Sequence, residues 1–454
     1  MNKWLRSTIG LVLVMLIVVT AAGCREEEGK VFKAVGENEK AMIKVLCQDE
    51  SEFYSQYGSL FLAEYPNIEV QVISTAGNPS QDIDAIIEAE KPDVLILDTS
   101  QYEKYANGGY LYDLDAAIRQ GQFDLAGILP AVTDSIKDMS GGKLYGLAPR
   151  FSSQALYYNK DSFDRYSVPY PKDKMSWEEV LELAQRFPRE DDAGERTYGF
   201  MFNRYDANPY NSALTIGFGK GLSYFDLDTM QMTIDTEEWK KVFQLAFDVI
   251  QSGAVYEPPE QNGFIPGMGQ KEEMEQDPFF GGKTAMMISA NDFMAQLKRA
   301  KSYLKDRMPE WDIVSVPVDQ QNPDVGNVLW IRDIFTIHAQ SANVEAAWAF
   351  VSYINSDTFA RVTAKAQING TMPARAAFLK DDEGHNLEAF TALKPNPNIQ
   401  KGSGEVPQSF FLAFGAMAEQ ETKLAYKGEQ SLETALANIQ QKGQALLQAE
   451  MNSQ

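Results

Sequence analysis

The chain has 454 residues, 44% of them hydrophobic and 23% charged, and a formal net charge of -23. That length is too great for one ordinary core, so two domains are expected. The acidic excess repels phosphate backbones and anionic lipid headgroups alike, which excludes nucleic acid as a partner and a basic patch as a means of membrane attachment.

At the N-terminus, Lys3 and Arg6 precede an apolar run from Ile9 to Val19. The run is shorter than the ~20 residues a spanning helix needs, so residues 1–23 read as a secretory signal. Thr20-Ala21-Ala22-Gly23-Cys24 resembles a bacterial lipobox, with Ala21 where leucine is usual. Cys24 is therefore expected to be acylated and to hold the mature protein on a membrane; simple cleavage with Cys24 discarded is the alternative. Residues 24–40 are charged and aperiodic, as a flexible tether would be. The second of the two cysteines, Cys47, has no partner once Cys24 is acylated, and in the apolar stretch Met42–Cys47 it reads as a small core residue.

Order begins with Ala41–Cys47, a buried strand. Phe53–Tyr65 has helical spacing of Phe53, Tyr57, Leu60, Phe61 and Tyr65, Ile68–Ile73 alternates as a strand, Ile83–Ala89 is helical, and Pro92–Asp98 is an apolar strand bounded by charges. Strands alternating with helices imply a mostly parallel, doubly wound α/β sheet whose ligands sit at the carboxyl ends of the strands. Further on, Ser176–Phe187 opens with a Ser176/Glu179 capping box, and Tyr224–Ile234 reads as a hairpin before a helix start at Thr236. Ala285–Ser289 and Trp311–Val316 read as strands, and Val344–Ile354 and Ser431–Ala449 as amphipathic helices. The glycines Gly217, Gly219 and Gly221 read as a loop.

Machinery for bond-making is absent from the pattern. Neither of the two histidines, His338 and His385, has a second histidine or a cysteine three to five residues downstream, and no nucleophile elbow occurs. Gly281-Gly282-Lys283-Thr284 lacks the upstream glycine of a phosphate-binding loop, and the Asp226/Asp228 segment has Gln231 where a calcium loop needs glycine. Paired acids such as Asp381/Asp382 read as solvated surface. No enzyme activity, metal or cofactor is expected.

The segments Gly142-Lys143-Leu144-Tyr145-Gly146-Leu147-Ala148-Pro149 and Ala155-Leu156-Tyr157-Tyr158-Asn159-Lys160-Asp161 resemble the central signature of family 1 extracellular solute-binding proteins, which serve sugar-type ABC importers. Lys91-Pro92-Asp93-Val94, Leu114-Asp115, Met175–Glu179, Phe280–Met286, Ala347–Phe350 and Gly370–Arg375 match further segments in the family's order. The resemblance implies a two-lobed, type II periplasmic-binding-protein-like α/β fold. It implies crossovers near residues 149, 317 and 356, so that one lobe comprises 41–148 plus 318–355 and the other 149–317 plus 356–454. It also implies a monomeric receptor that clamps a small molecule between lobes and delivers it to ABC permease subunits.

Sugar-like guests need aromatic faces for their C–H surfaces and fixed polar groups for their hydroxyls. On position at strand ends and crossovers, the candidates are Glu50, Asp98, Arg150, Phe151, Asn291, Asp292, Trp330 and Arg375. Arg150, directly after the crossover proline, either grips the ligand or pairs with an acid across the hinge; Trp330, between two apolar runs, has a core reading too. A carbohydrate or oligosaccharide is the leading guest. The rivals are a non-sugar solute and a secreted polysaccharide-degrading enzyme.

Overall fold

The computed structural model describes residues 35–36, 39–76, 83–188, 190, 196–226, 229–258, 269–326, 328–364, 370–396 and 406–452. The signal segment, Cys24 and most of the tether lie outside the described residues. Among the described residues no helix is long and apolar enough to cross a membrane.

Two main sheets are built from β1 (Ala41–Cys47), β2 (Ile68–Ser74), β3 (Val94–Leu97), β4 (Gly146–Leu147), β5 (Arg150–Asn159), β6 (Met286–Ala290), β7 (Trp311–Val314), β8 (Leu329–Trp330), β9 (Ile334–Ile337) and β10 (Met372–Pro373). The first sheet has the order β2-β1-β3-β9-β4. Its β1–β2 and β1–β3 pairs are parallel, in register Val45↔Val72 and Val45↔Val94, while β9 runs antiparallel to both β3 and β4. The second sheet is organised on β5, and there the parallel expectation fails. Its four partners, β6, β7, β8 and β10, are all antiparallel to it. Each of these short strands returns to β5 after a long excursion and runs back along it, a pairing that needs no crossover helix.

The strand β5 shows why a period of two matters. Phe151, Ala155 and Tyr157 point into the buried cluster that contains the first sheet's core, whereas Leu156 and Tyr158 point into the other large cluster. Successive side chains of a strand face opposite sides, so one continuous strand serves both cores.

Helices cover both bodies. On the first, α1 (Glu50–Phe53) runs through a π turn, Tyr54–Gly58, into α2 (Ser59–Glu64), followed by α3 (Ile83–Glu90), α4 (Thr99–Asn107) and α5 (Pro130–Asp138). The second carries α6 (Trp177–Ala184), α7 (Pro209–Gly219), α8 (Glu237–Gln251) and α9 (Phe293–Leu304). Both arms of the Ser176/Glu179 capping box form, at 2.8 and 3.2 Å. The glycines expected in a loop instead close α7: a Cβ on Gly217 would collide with the Trp239 ring and one on Gly219 with the Trp177 ring, and Gly221 comes next at a φ of +80°. The spacing is thus a requirement of helix–tryptophan packing. The chain then returns with α10 (Val344–Ile354) onto β1 and β9, and ends in the hairpin of α11 (Gln408–Tyr426) and α12 (Leu432–Asn452).

Candidate functional site

Because β1, β2 and β3 are parallel, their carboxyl ends lie together, and the residues just past each strand face a common space. A cavity of about 690 Å³ opens there. Gln48 and Asp49 after β1, Thr75 and Ala76 after β2, and Asp98 after β3 line it, with Glu52, Phe53 and Tyr57 from the α1–π segment, Ile83, and Gln101 of α4. Antiparallel pairing of β9 with β3 sets Ile334 opposite Leu97, so the two residues just before β9, Arg332 and Asp333, are delivered to the same end of the sheet.

Helix capping places two of the carboxylates. Asp49 caps α1 by accepting the Glu52 N–H at 2.7 Å. Asp98 caps α4 by accepting the Gln101 N–H at 2.8 Å, and the Gln101 side chain accepts the Asp98 N–H in return. Each cap satisfies an orphan donor of a first turn and leaves its carboxylate at the cavity wall. Deeper in, the Tyr57 hydroxyl donates to Asp333 Oδ2 at 2.9 Å, while at the exposed rim Arg332 pairs with Glu52 at 2.9 Å. Burial raises the Asp333 carboxyl above the ordinary carboxylate value, opposed by the Tyr57 hydrogen bond. The Cys47 thiol on the cavity floor is pushed up to about 12, first by burial and then by Asp49 and Glu50, so it stays protonated.

A second, smaller cavity of about 110 Å³ lies across the first turn of α4. Thr99, Ser100 and Glu103 line it, with Ser135, Asp138 and Met139 at the end of α5, Leu329 and Ile331 around β8, and Pro395 and Asn396. A gap of about 10 Å³ bordered by Tyr57, Arg150, Arg332 and Asp333 lies at the edge of the main cavity.

Of the residues singled out from the sequence, the structure brings Asp98 into the main cavity. Glu50 is exposed on α1 beside it, and its neighbours Asp49 and Glu52 take the wall instead. Arg150 borders the small gap but is buried, its guanidinium donating to Thr371 Oγ1 at 2.6 Å and to the Thr371 carbonyl at 3.0 Å. Trp330 is exposed between Leu329 and Ile331 of the second cavity. Asp292 is exposed at the start of α9. The other three are interior. Phe151 is core. Asn291 accepts the Ser153 N–H at 2.9 Å and donates to the Gly370 carbonyl. Arg375 donates to the carbonyls of Asn355 at 2.7 Å and Asp124 at 2.6 Å and lies over the Phe123 ring. Position at a strand end does not say which way a side chain points.

The residues that sequence reasoning passed over are Asp49, Glu52, Tyr57, Gln101, Arg332 and Asp333. Two signals point to them. A cap residue directly after a strand marks a helix N-terminus at the carboxyl edge of the sheet, and a charged pair breaks the apolar run from Val328 to Ile337.

The family model described as bacterial extracellular solute-binding protein matches residues 37–360. A binding protein of Brucella abortus is 24% identical over 314 residues, 67% of this chain and 68% of that protein. Among solved structures, the sugar-binding protein MalE of Xanthomonas citri superposes with a TM-score of 0.61 at 16% identity, covering 90% of this chain and 98% of that one. A family 1 extracellular solute-binding protein of Alicyclobacillus acidocaldarius gives 0.62 at 16%, covering 92% and 99%. An ABC substrate-binding protein of Listeria monocytogenes, solved in complex with cycloalternan, gives 0.52 at 20%, covering 91% and 100%. These likenesses establish the two-lobed α/β fold.

Proposed function

The chain belongs to the bacterial extracellular solute-binding protein family, and from that premise we propose that it is a membrane-anchored receptor that captures a carbohydrate or oligosaccharide between two lobes and delivers it to the permease subunits of an ABC importer. The observation that carries this reading is the 690 Å³ cavity at the carboxyl ends of β1, β2 and β3, walled by Phe53 and Tyr57 together with fixed polar groups. Its size suits a guest of several hundred cubic ångströms, and its lining combines apolar side chains with hydrogen-bond partners. Family and structural neighbours are binding proteins, and the neighbour from Listeria was solved in complex with cycloalternan.

In this reading, Cys24 carries the lipid and the segment from 25 to 40 lets a monomer work on the outer face of the membrane. The lobes join at three passages. The first is at Pro149 and the third near residue 356. The second lies in the segment from Pro317 to Ile334; that Leu329–Trp330 pairs with β5 while Ile334 pairs with β3 favours the later part of it. A thermal-shift and calorimetric screen of mono- and oligosaccharides tests the guest. A saturable hit is expected; a full screen without one removes the carbohydrate assignment. Mass spectrometry of the membrane-extracted protein tests the anchor, which fails if the N-terminal peptide is found unacylated.

A further inference from the structure

The wall of the main cavity is uneven in charge. Asp49, Glu52, Asp98 and Asp333 line it, and Arg332 is the one cation among its described residues. Arg332 is already matched by Glu52 at 2.9 Å. Asp49, Asp98 and Asp333 remain, and each is held through a single oxygen: Asp49 Oδ1 by the Glu52 N–H, Asp98 Oδ1 by the Gln101 N–H, Asp333 Oδ2 by the Tyr57 hydroxyl. The second oxygen of each is left as an acceptor. Across the first turn of α4, the smaller cavity adds Glu103 and Asp138 and no cation among its described residues.

A wall with surplus acceptors is matched by a guest with surplus donors. A hydroxyl brings one donor and two lone pairs, whereas an ammonium brings three donors and no acceptor. A carboxylated guest would face three like charges in a partly desolvated space. The acids also do not converge: among the described residues no three His, Cys, Asp or Glu side chains are placed to hold a metal ion. The negative charge is spread along a cavity of saccharide size, which suits a spread guest over a point cation.

Resting on the receptor reading above, we propose that the guest is an aminated saccharide, a sugar or oligosaccharide carrying at least one ammonium group, bound through Asp49, Asp98 and Asp333. Matched probes isolate the charge: glucosamine against glucose, and the four-unit chitosan oligomer against cellotetraose, each pair differing by amine for hydroxyl, with tetragalacturonate as the anionic member. The full chain is purified in a non-ionic detergent and titrated calorimetrically. The aminated partner is expected to bind roughly tenfold tighter at low salt, with the advantage shrinking as salt rises from about 20 mM to about 500 mM. The double variant Asp49→Asn/Asp98→Asn keeps both helix caps, since asparagine caps as well as aspartate. It is expected to lose most of the amine preference, read as the ratio of the affinities for the aminated and neutral partners of each pair. Equal or tighter binding of the neutral partner, or tightest binding of tetragalacturonate, overturns this inference and leaves the receptor standing. Failure of every saccharide, charged or neutral, removes the carbohydrate assignment and the inference with it.

Discussion

Tyr57 and Asp333 lie 276 positions apart in the chain and 2.9 Å apart in the fold. Their hydrogen bond stabilises a carboxylate that burial would otherwise push toward protonation, so Tyr57 acts on the charge of the cavity as well as on its shape. Removing the hydroxyl in Tyr57→Phe is expected to cost about 1 kcal/mol of stability and to weaken ligand binding several-fold. Arg375 provides the contrast. It donates to two backbone carbonyls and sits between Asp124 and Asp357, so Arg375→Ala is expected to destabilise the fold by about 3 kcal/mol while leaving ligand affinity of the folded protein unchanged. Urea denaturation paired with calorimetry reads both variants; affinity lost at unchanged stability in Arg375→Ala would return that residue to the cleft. The acid pair Asp381/Asp382 corrects another residue-level expectation: the Asp381 carboxylate is buried and bonded to His385 Nδ1 at 2.7 Å, with the His385 ring stacked on Trp311. Neighbouring acids in the chain need not share an environment.

Between elements, the terminal hairpin is tied by one glutamate. Glu421 on α11 pairs with Lys442 of α12 and accepts from Gln430 and Asn438. Its carboxyl is held at about 2, below the ordinary 4.5, chiefly by Lys442 and then by Gln430. A depressed folded value means that the contribution is fully present above the ordinary value and is lost as pH falls toward about 2. Stability is therefore expected to decline across that acid window, and Glu421→Gln to lower the midpoint at neutral pH while flattening the acid decline. Urea midpoints collected down the window check this; a parallel curve for the variant would mean that other carboxylates govern the acid limb.

For the whole molecule, the step from β4 through Ala148 and Pro149 into β5 is what matters, because β4 pairs within the first sheet and β5 with every other strand of the second, so a short extended passage links the two bodies. In the proposed receptor, opening and closing reduces to small backbone changes at the passages between lobes. A guest drives closure only through contacts that exist when both lobes touch it. Small-angle scattering is expected to show a smaller radius of gyration at saturating ligand, and ligand at a hundred times its dissociation constant should add about 2.7 kcal/mol of stability. Unchanged scattering at saturation would show that binding involves one lobe alone.

Local signals carried much of the fold. Apolar strands, capping boxes such as Ser176/Glu179 and the helical stripe of Val344–Ile354 are written in neighbouring residues, and each formed where its periodicity placed it. Parallel β1, β2 and β3 agree with the strand–helix alternation, and with them comes the edge of the sheet on which a ligand cavity would lie. Neighbouring residues alone thus specify which segments are strands and helices and where the cavity's rim begins. Long-range packing was needed to make β5's partners antiparallel, to seat Gly217 and Gly219 under tryptophans, and to turn Arg150, Asn291 and Arg375 inward while Arg332 and Asp333 reach the cavity. The reason is that pairing direction and side-chain orientation depend on contacts between residues far apart in the chain, such as Tyr57 with Asp333 and Arg375 with Asp124, and no local period encodes them.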